Sequence, residues 1–189
     1  MGLKRTLGLV AAVAAVAVMT GCATKAPSYQ PSIQNVNVLK RAGTSAATVG
    51  TFGTEPGASG ATSIQLRAAQ MTTPSGGPYA QYIEEALKTE LDLAQRLNPK
   101  ANVVITGVLV KNNINAGGIN TNDGEVEARF VVRRDGSVRF EKTKRGTAQW
   151  ESSFVGNIAI PKAAQQYTVL VQLLLGALYA DPDFQDAIR

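Results

Sequence analysis

Histidine is absent from the 189 residues, and cysteine occurs once, as Cys22. The first absence removes the commonest general base and the commonest metal ligand. The second excludes an internal disulfide and, with no histidine, any Cys/His zinc site. Ser-His-Asp and Cys-His triads go with them. Charge is sparse too, at 17% of residues, and aromatics reach only 6%. There is no Gly-rich phosphate loop followed by Lys-Ser/Thr, and no Gly-x-Ser-x-Gly turn. The expectation is a protein that is not an enzyme and carries no cofactor or metal.

What the chain does have begins at its amino terminus. Lys4 and Arg5 form a short positive head, and Leu7 to Met19 is an apolar stretch of mostly Ala and Val. Thr20 and Gly21 then lead to Cys22. A positive head, a short apolar stretch and a small-residue exit mark an export signal. The stretch falls short of the ~20 residues a membrane span needs. The exit Met19-Thr20-Gly21-Cys22 resembles a bacterial lipobox, with Met where Leu is commoner. That resemblance implies cleavage after residue 21 and acylation of Cys22, the expected lipid-attachment residue. The other reading is an ordinary cleaved signal with an incidental Cys. A lone unpaired thiol is unusual in an exported protein, and lipid attachment accounts for it. Ala23 follows, where Asp would resemble an inner-membrane retention mark. The expected location is the outer membrane, facing the periplasm.

Residues 23–32 hold Pro27, Pro31, Ser28 and Ser32. With the lipidated Cys22 they read as a flexible tether over 22–32. Residues 33–189 are the size of one domain. Two of the 19 basic side chains leave with the signal, so the balance against 14 acidic ones is only slightly positive. Such a balance does not indicate nucleic acid.

Ile33, Val36 and Val38 alternate with polar residues and predict a strand over 33–39, with further strands at 47–52 and 63–69. Pro78 suits the first turn of a helix, the pattern becomes helical from Tyr79, and Ile83, Leu87, Leu91 and Ala94 form its apolar stripe up to Asn98-Pro99. Val103 to Val110 is a nearly continuous apolar strand, which predicts cover on both faces, with Gly107 as a candidate bulge. Residues 112–124 are rich in Asn and Gly and read as a loop whose spacing fails a calcium site. Glu125 to Arg133 alternates, Asp135-Gly136 signals a hairpin, and Ser137 to Arg145 returns. Residues 147–154 extend the sheet. Pro161 opens a helix that is apolar nearly all round, and Asp181-Pro182 caps a closing turn. The fold class is α+β, a mixed or antiparallel sheet with two main helices on one face.

This order of elements resembles YajG-type envelope lipoproteins and, more broadly, TolB amino-terminal-like domains. The resemblance rests on the Cys22 exit, Thr48-Val49-Gly50-Thr51-Phe52, the helix with Ile83, Ala86, Leu87 and Leu91, the strand 103–110, the Asp135-Gly136 hairpin and the last apolar helix. It spans residues 45–180 and implies a non-enzymatic envelope component.

Arg133, Arg134, Arg139, Lys142, Lys144 and Arg145 cluster about the hairpin. They are candidate contacts for an anionic surface or an acidic partner, or else a solvated face that discourages edge pairing. Tyr79, Tyr82, Trp150 and Phe154 form a candidate recognition patch or core rim. Glu84 with Glu85, and Asp181 with Asp183 and Asp186, are the acidic pairs a hydrolase would need, in places that helix surface and capping explain. The expected partners are a membrane, through lipid on Cys22, and an envelope protein or a second copy. The alternative is a periplasmic module binding a lipid or wall fragment.

Overall fold

The computed structural model describes residues 22–43 and 45–189; the export signal at 1–21 lies outside the described residues. The elements are β1 (Cys22–Lys25), α1 (Ile33–Arg41), β2 (Thr48–Thr54), β3 (Ile64–Leu66), β4 (Ala69–Thr72), α2 (Tyr79–Leu93), β5 (Val103–Asn115), β6 (Thr121–Arg134), β7 (Ser137–Glu151), α3 (Gly156–Tyr179) and α4 (Pro182–Ala187). Two mixed sheets result. The larger has the order β2-β5-β6-β7, with β2 parallel to β5 and the other pairs antiparallel. The smaller has the order β1-β4-β3, with β1 parallel to β4. Helices α2 and α3 pack on one face of the larger sheet, α2 over β2 and α3 over β7 and β6. The fold class is α+β, with two main helices on one face.

Periodicity explains this layer. Along β6, Val126, Ala128, Phe130 and Val132 are buried and alternate with partly exposed residues. Ile83, Ala86, Leu87 and Leu91 bury one stripe of α2. In α3, Tyr167, Leu170, Val171, Leu174, Leu175 and Leu178 are buried. A glycine sets how closely α3 approaches. A Cβ on Gly146 of β7 would lie 2.3 Å from the Leu170 carbonyl oxygen and 2.6 Å from the Leu174 nitrogen. The hairpin turn is as expected: Asp135 and Gly136 have φ of 51° and 80°, the double positive φ that a type I′ turn requires.

Several expectations are corrected. Residues 33–41 are a helix, because Ser32 caps it by accepting from the Asn35 amide at 3.3 Å, and Val36 and Leu39, three apart, are its buried face. Strand β5 is covered on one face only. Val103, Ile105 and Leu109 are buried, whereas Val104, Thr106 and Val108 are partly exposed. Branched side chains fit a half-covered pleated surface as well as a buried one. The β5 irregularity falls between Leu109 and Lys111. Gly107 instead makes room for the Phe52 ring, which a Cβ there would meet at 2.3 Å. The Asn-rich stretch is mostly strand: β5 runs to Asn115 and β6 starts at Thr121. Asn112 and Asn122 take buried positions in that alternation, and Asn112 donates to the Gly60 carbonyl at 2.8 Å. Helix α2 starts at Tyr79 as expected, with Pro78 as its cap residue, but ends at Leu93, short of Asn98-Pro99. Helix α3 starts at Gly156, so Pro161 lies inside it.

Candidate functional site

Two regions bear on function: the end where Cys22 enters the domain, and the β6–β7 hairpin with its basic residues. Cys22 opens β1, whose backbone pairs in register with Ala69 at the start of β4. Residues 22–32, read from sequence as a tether, are here a strand and an extended segment fastened to the domain. The Ala26 amide donates to the Thr72 carbonyl at 2.8 Å, and Ala26 itself is buried.

The fastening centres on Glu90, a carboxylate in the inward stripe of α2 that is fully buried. Its Oε1 accepts from the Tyr29 hydroxyl at 2.6 Å, the Ser32 amide at 2.8 Å and Asn35 Nδ2 at 3.3 Å. Asn35 also donates to the Gln172 carbonyl of α3, and Gln172 donates to the Gln30 carbonyl. Burial pushes the Glu90 carboxyl above the usual range, against the opposing pull of these donors. The sequence carries a signal for Glu90, since a carboxylate at the helical spacing of Leu87 and Leu91 points inward with them.

A second missed residue is Arg67, in the turn between β3 and β4, where its φ is 55°. Its Nε donates to the Ala116 carbonyl at 2.7 Å. Nη2 donates to the carbonyls of Gly118 at 2.9 Å and Ser153 at 2.7 Å, and to the Ser152 hydroxyl at 3.3 Å. Nη1 reaches the Phe154 carbonyl at 3.1 Å. One guanidinium thus laces the β5–β6 connection to the β7–α3 connection, and the Ser152 amide adds a bond to the Asn120 carbonyl at 2.8 Å. Nothing local in the sequence marks Arg67, because every partner is far along the chain.

At the hairpin the structure divides the six basic candidates. Lys142 and Lys144 lie on the helix-covered side, beside the α4 cap. Lys142 contacts Asp181 at 3.0 Å and Asp183 at 2.6 Å, and Lys144 pairs with Asp181. The Lys144 hydrogen bond holds the Asp181 carboxyl well below the usual range, with help from Lys142 and the Asp183 amide and against its burial. Asp181 also caps α4, as expected, accepting from the Asp183 amide at 2.9 Å. Arg145 lies on the open side, paired with Glu125 at 2.9 Å and with Glu127. Arg134 donates to the Ala187 carbonyl at 3.2 Å. Arg133 and Arg139 are exposed and make no ion pair among the described residues. A shallow hollow of about 390 Å³ beside Arg139 and Lys142 is lined equally by Asp183 and Asp186. Its mixed charge does not select an anion.

The other candidates separate as well. Tyr79, Tyr82 and Trp150 are buried, and Phe154 alone of that set is exposed. Glu84 pairs with Lys88 at 2.6 Å and accepts from the Phe52 amide at 2.9 Å, which ties α2 to β2. Among the described residues no group of three or more Cys, Asp or Glu side chains is placed to hold a metal ion, and no helix is long and apolar enough to cross a membrane.

The class defined by these observations is an α+β domain with two helices on one face of a mixed sheet, its amino-terminal segment built into the core. No family model matches the chain, and no curated protein matches it. Solved structures give shallow likenesses. One is a Xanthomonas campestris protein of the DUF330 family, at 10% identity and a TM-score of 0.47, covering 82% of this chain and 96% of that one. A second, from Caulobacter crescentus CB15 and provisionally named a lipoprotein, has 10% identity and a TM-score of 0.42 over 56% of this chain and 80% of that one. A third, a hypothetical protein of Chlamydia trachomatis, has 10% identity and a TM-score of 0.45 over 70% of this chain and 92% of that one. No activity or partner follows from likenesses this shallow.

Proposed function

We propose that this is a lipid-anchored, non-enzymatic envelope lipoprotein, akin to the YajG and TolB amino-terminal-like group. It acts as an interaction component at the periplasmic face of the outer membrane. The observation that carries the anchor is the exit Met19-Thr20-Gly21-Cys22, with Cys22 as the only cysteine. Docking a protein partner, or a second copy, falls to the outer edge of β7. That strand is an edge of the larger sheet, with 15 residues, and an edge of this kind is a ready template for an added strand. Arg133 and Arg139 stand at its hairpin end without an ion pair among the described residues and favour an acidic partner. Helix α3 is a poorer docking element, since most of its apolar residues are spent on the core, Ile158 and Leu173 being the exposed exceptions.

Two linked measurements test the reading. Metabolic labelling with a palmitate analogue marks the wild-type chain and not Cys22→Ser; equal labelling of the two removes the anchor. Photocrosslinking in intact cells from position 143, on β7, captures a reproducible envelope protein or a second copy. Position 100, in the loop between α2 and β5, does not. Bystanders alone, or the same products from both positions, remove the docking role.

A further inference from the structure

Of the eight large apolar side chains exposed among the described residues, three belong to the two connections that Arg67 laces together, Ile119 at 61% exposure, Phe154 at 78% and Val155 at 48%, and a fourth, Ile158 at 56%, stands in the first turn of α3 directly after them. Water-facing apolar groups of this size, gathered on neighbouring loops, mark a contact surface. They are held out rather than collapsed inward. The Arg67 guanidinium donates to the carbonyls of Gly118 and Phe154, which ties the two loops together. The nearest acids in the chain are Asp123 on β6 and Glu151, the exposed last residue of β7 at the rim of this surface.

The position of Cys22 says what covers this surface. Parallel pairing sets Cys22 beside Ala69, at the end of the small sheet where the β3–β4 turn, with Arg67, lies. The chain therefore enters the domain at the end that bears Ile119 and Phe154. With β1 fastened to β4 and no tether in between, acyl chains on Cys22 would bring these loops to the lipid surface.

We propose that Ile119, Phe154, Val155 and Ile158 enter the interfacial layer of the bilayer, as a second contact beside the lipid on Cys22. This inference rests on the anchored reading above. Acyl chains supply affinity, and a protein contact beside them fixes orientation. Strands β6 and β7 run from these loops to the Asp135-Gly136 turn, roughly 40–45 Å at the usual rise per residue. Arg133 and Arg139 then project away from the membrane toward a partner. The basic hairpin does not touch headgroups of the same bilayer.

The sole natural cysteine makes a direct test possible, since an acylated Cys22 leaves any introduced cysteine as the one reactive thiol. Phe154→Cys and Ile119→Cys are placed in the full-length lipoprotein, with Ser137→Cys at the hairpin as reference. Each is labelled with an environment-sensitive fluorophore and reconstituted in phosphatidylethanolamine–phosphatidylglycerol vesicles carrying nitroxide lipids. The expected result is blue-shifted emission and severalfold stronger nitroxide quenching at 154 and 119 than at 137. Equal, weak quenching at all three sites, with palmitate still on Cys22, overturns the inference and leaves the anchor intact. Blue-shifted emission without nitroxide quenching also overturns it, because a protein surface then covers the loops. Loss of palmitate from Cys22 overturns the anchored reading, and this inference with it.

Discussion

Glu90 shows how a single residue ties function-bearing segments to the core. Its burial raises the carboxyl above its ordinary 4.5, so the folded state holds a proton that the unfolded chain releases more readily. Such a group contributes stability that is complete below the ordinary value and is lost as pH rises through the folded one. The wild-type domain should therefore lose part of its stability as pH rises above 4.5 on account of Glu90. Glu90→Gln keeps an acceptor for Tyr29 and Ser32 and carries no charge, so its stability should stay flatter over the same range. Denaturant melts of both proteins across that range measure the difference. Parallel curves would mean that the hydrogen bonds from Tyr29, Ser32 and Asn35 outweigh the cost of burial. Asp181 works in the opposite sense. Its lowered carboxyl contributes stability above the ordinary range that is lost as acid protonates it, so stability lost on acidification reports Asp181 and stability lost as pH rises above 4.5 reports Glu90.

At the scale of elements, α2 ends where its backbone turns left-handed. Gln95 has φ 58°; its amide bonds the Asp92 carbonyl and the Arg96 amide bonds the Leu91 carbonyl. That is the Schellman arrangement, and it favours glycine at the Gln95 place. Gln95 is exposed, so Gln95→Gly should relieve strain without removing packing. The expected gain is about 1 kcal/mol, read as a melting point higher by about 2–4 °C. A lower melting point would show that the Gln95 side chain contributes something its exposure conceals. This helix end also shows what sequence patterns reveal and what they miss. The apolar stripe announced α2, yet its stop was read at Asn98-Pro99, because Gln95 carries no turn signature. Strands β6 and β7 were legible from alternation and from Asp135-Gly136. Helix α1 was hidden because Val36 and Val38 among polar neighbours mimic a two-residue period; the Ser32 cap and the Val36–Leu39 spacing were the better signal. The far ends of β5 and β6 were hidden because Asn112 and Asn122, poor strand formers, occupy buried places that non-local packing dictates.

For the whole molecule, the two-layer plan was legible, since each main helix and the long hairpin bury one periodic face. The order of residues 22–32 was not. Prolines and serines there look like a linker, and what fastens them is a carboxylate about 60 residues away in sequence together with the edge of β4. The Arg67 lacing escaped notice for the same reason. A tether and a fastened segment predict different behaviour on truncation. Starting the unlipidated chain at Ile33 instead of Ala23 removes the β1–β4 pairing, the buried Ala26, and the Tyr29 and Ser32 donors to Glu90. A buried carboxyl stripped of the Tyr29 and Ser32 donors costs about 1–3 kcal/mol, and the lost apolar contact of Ala26 and Tyr29 adds to that. The truncated chain should therefore be less stable by roughly 3–5 kcal/mol. Hydrogen exchange in it should rise along β4 and α1 before β6. A tether would leave both the melt and the exchange pattern unchanged. If the truncated chain behaved that way, Cys22 would not be held at the loop end of the domain, and apposition of Phe154 and Ile119 to a bilayer would lose its geometric basis.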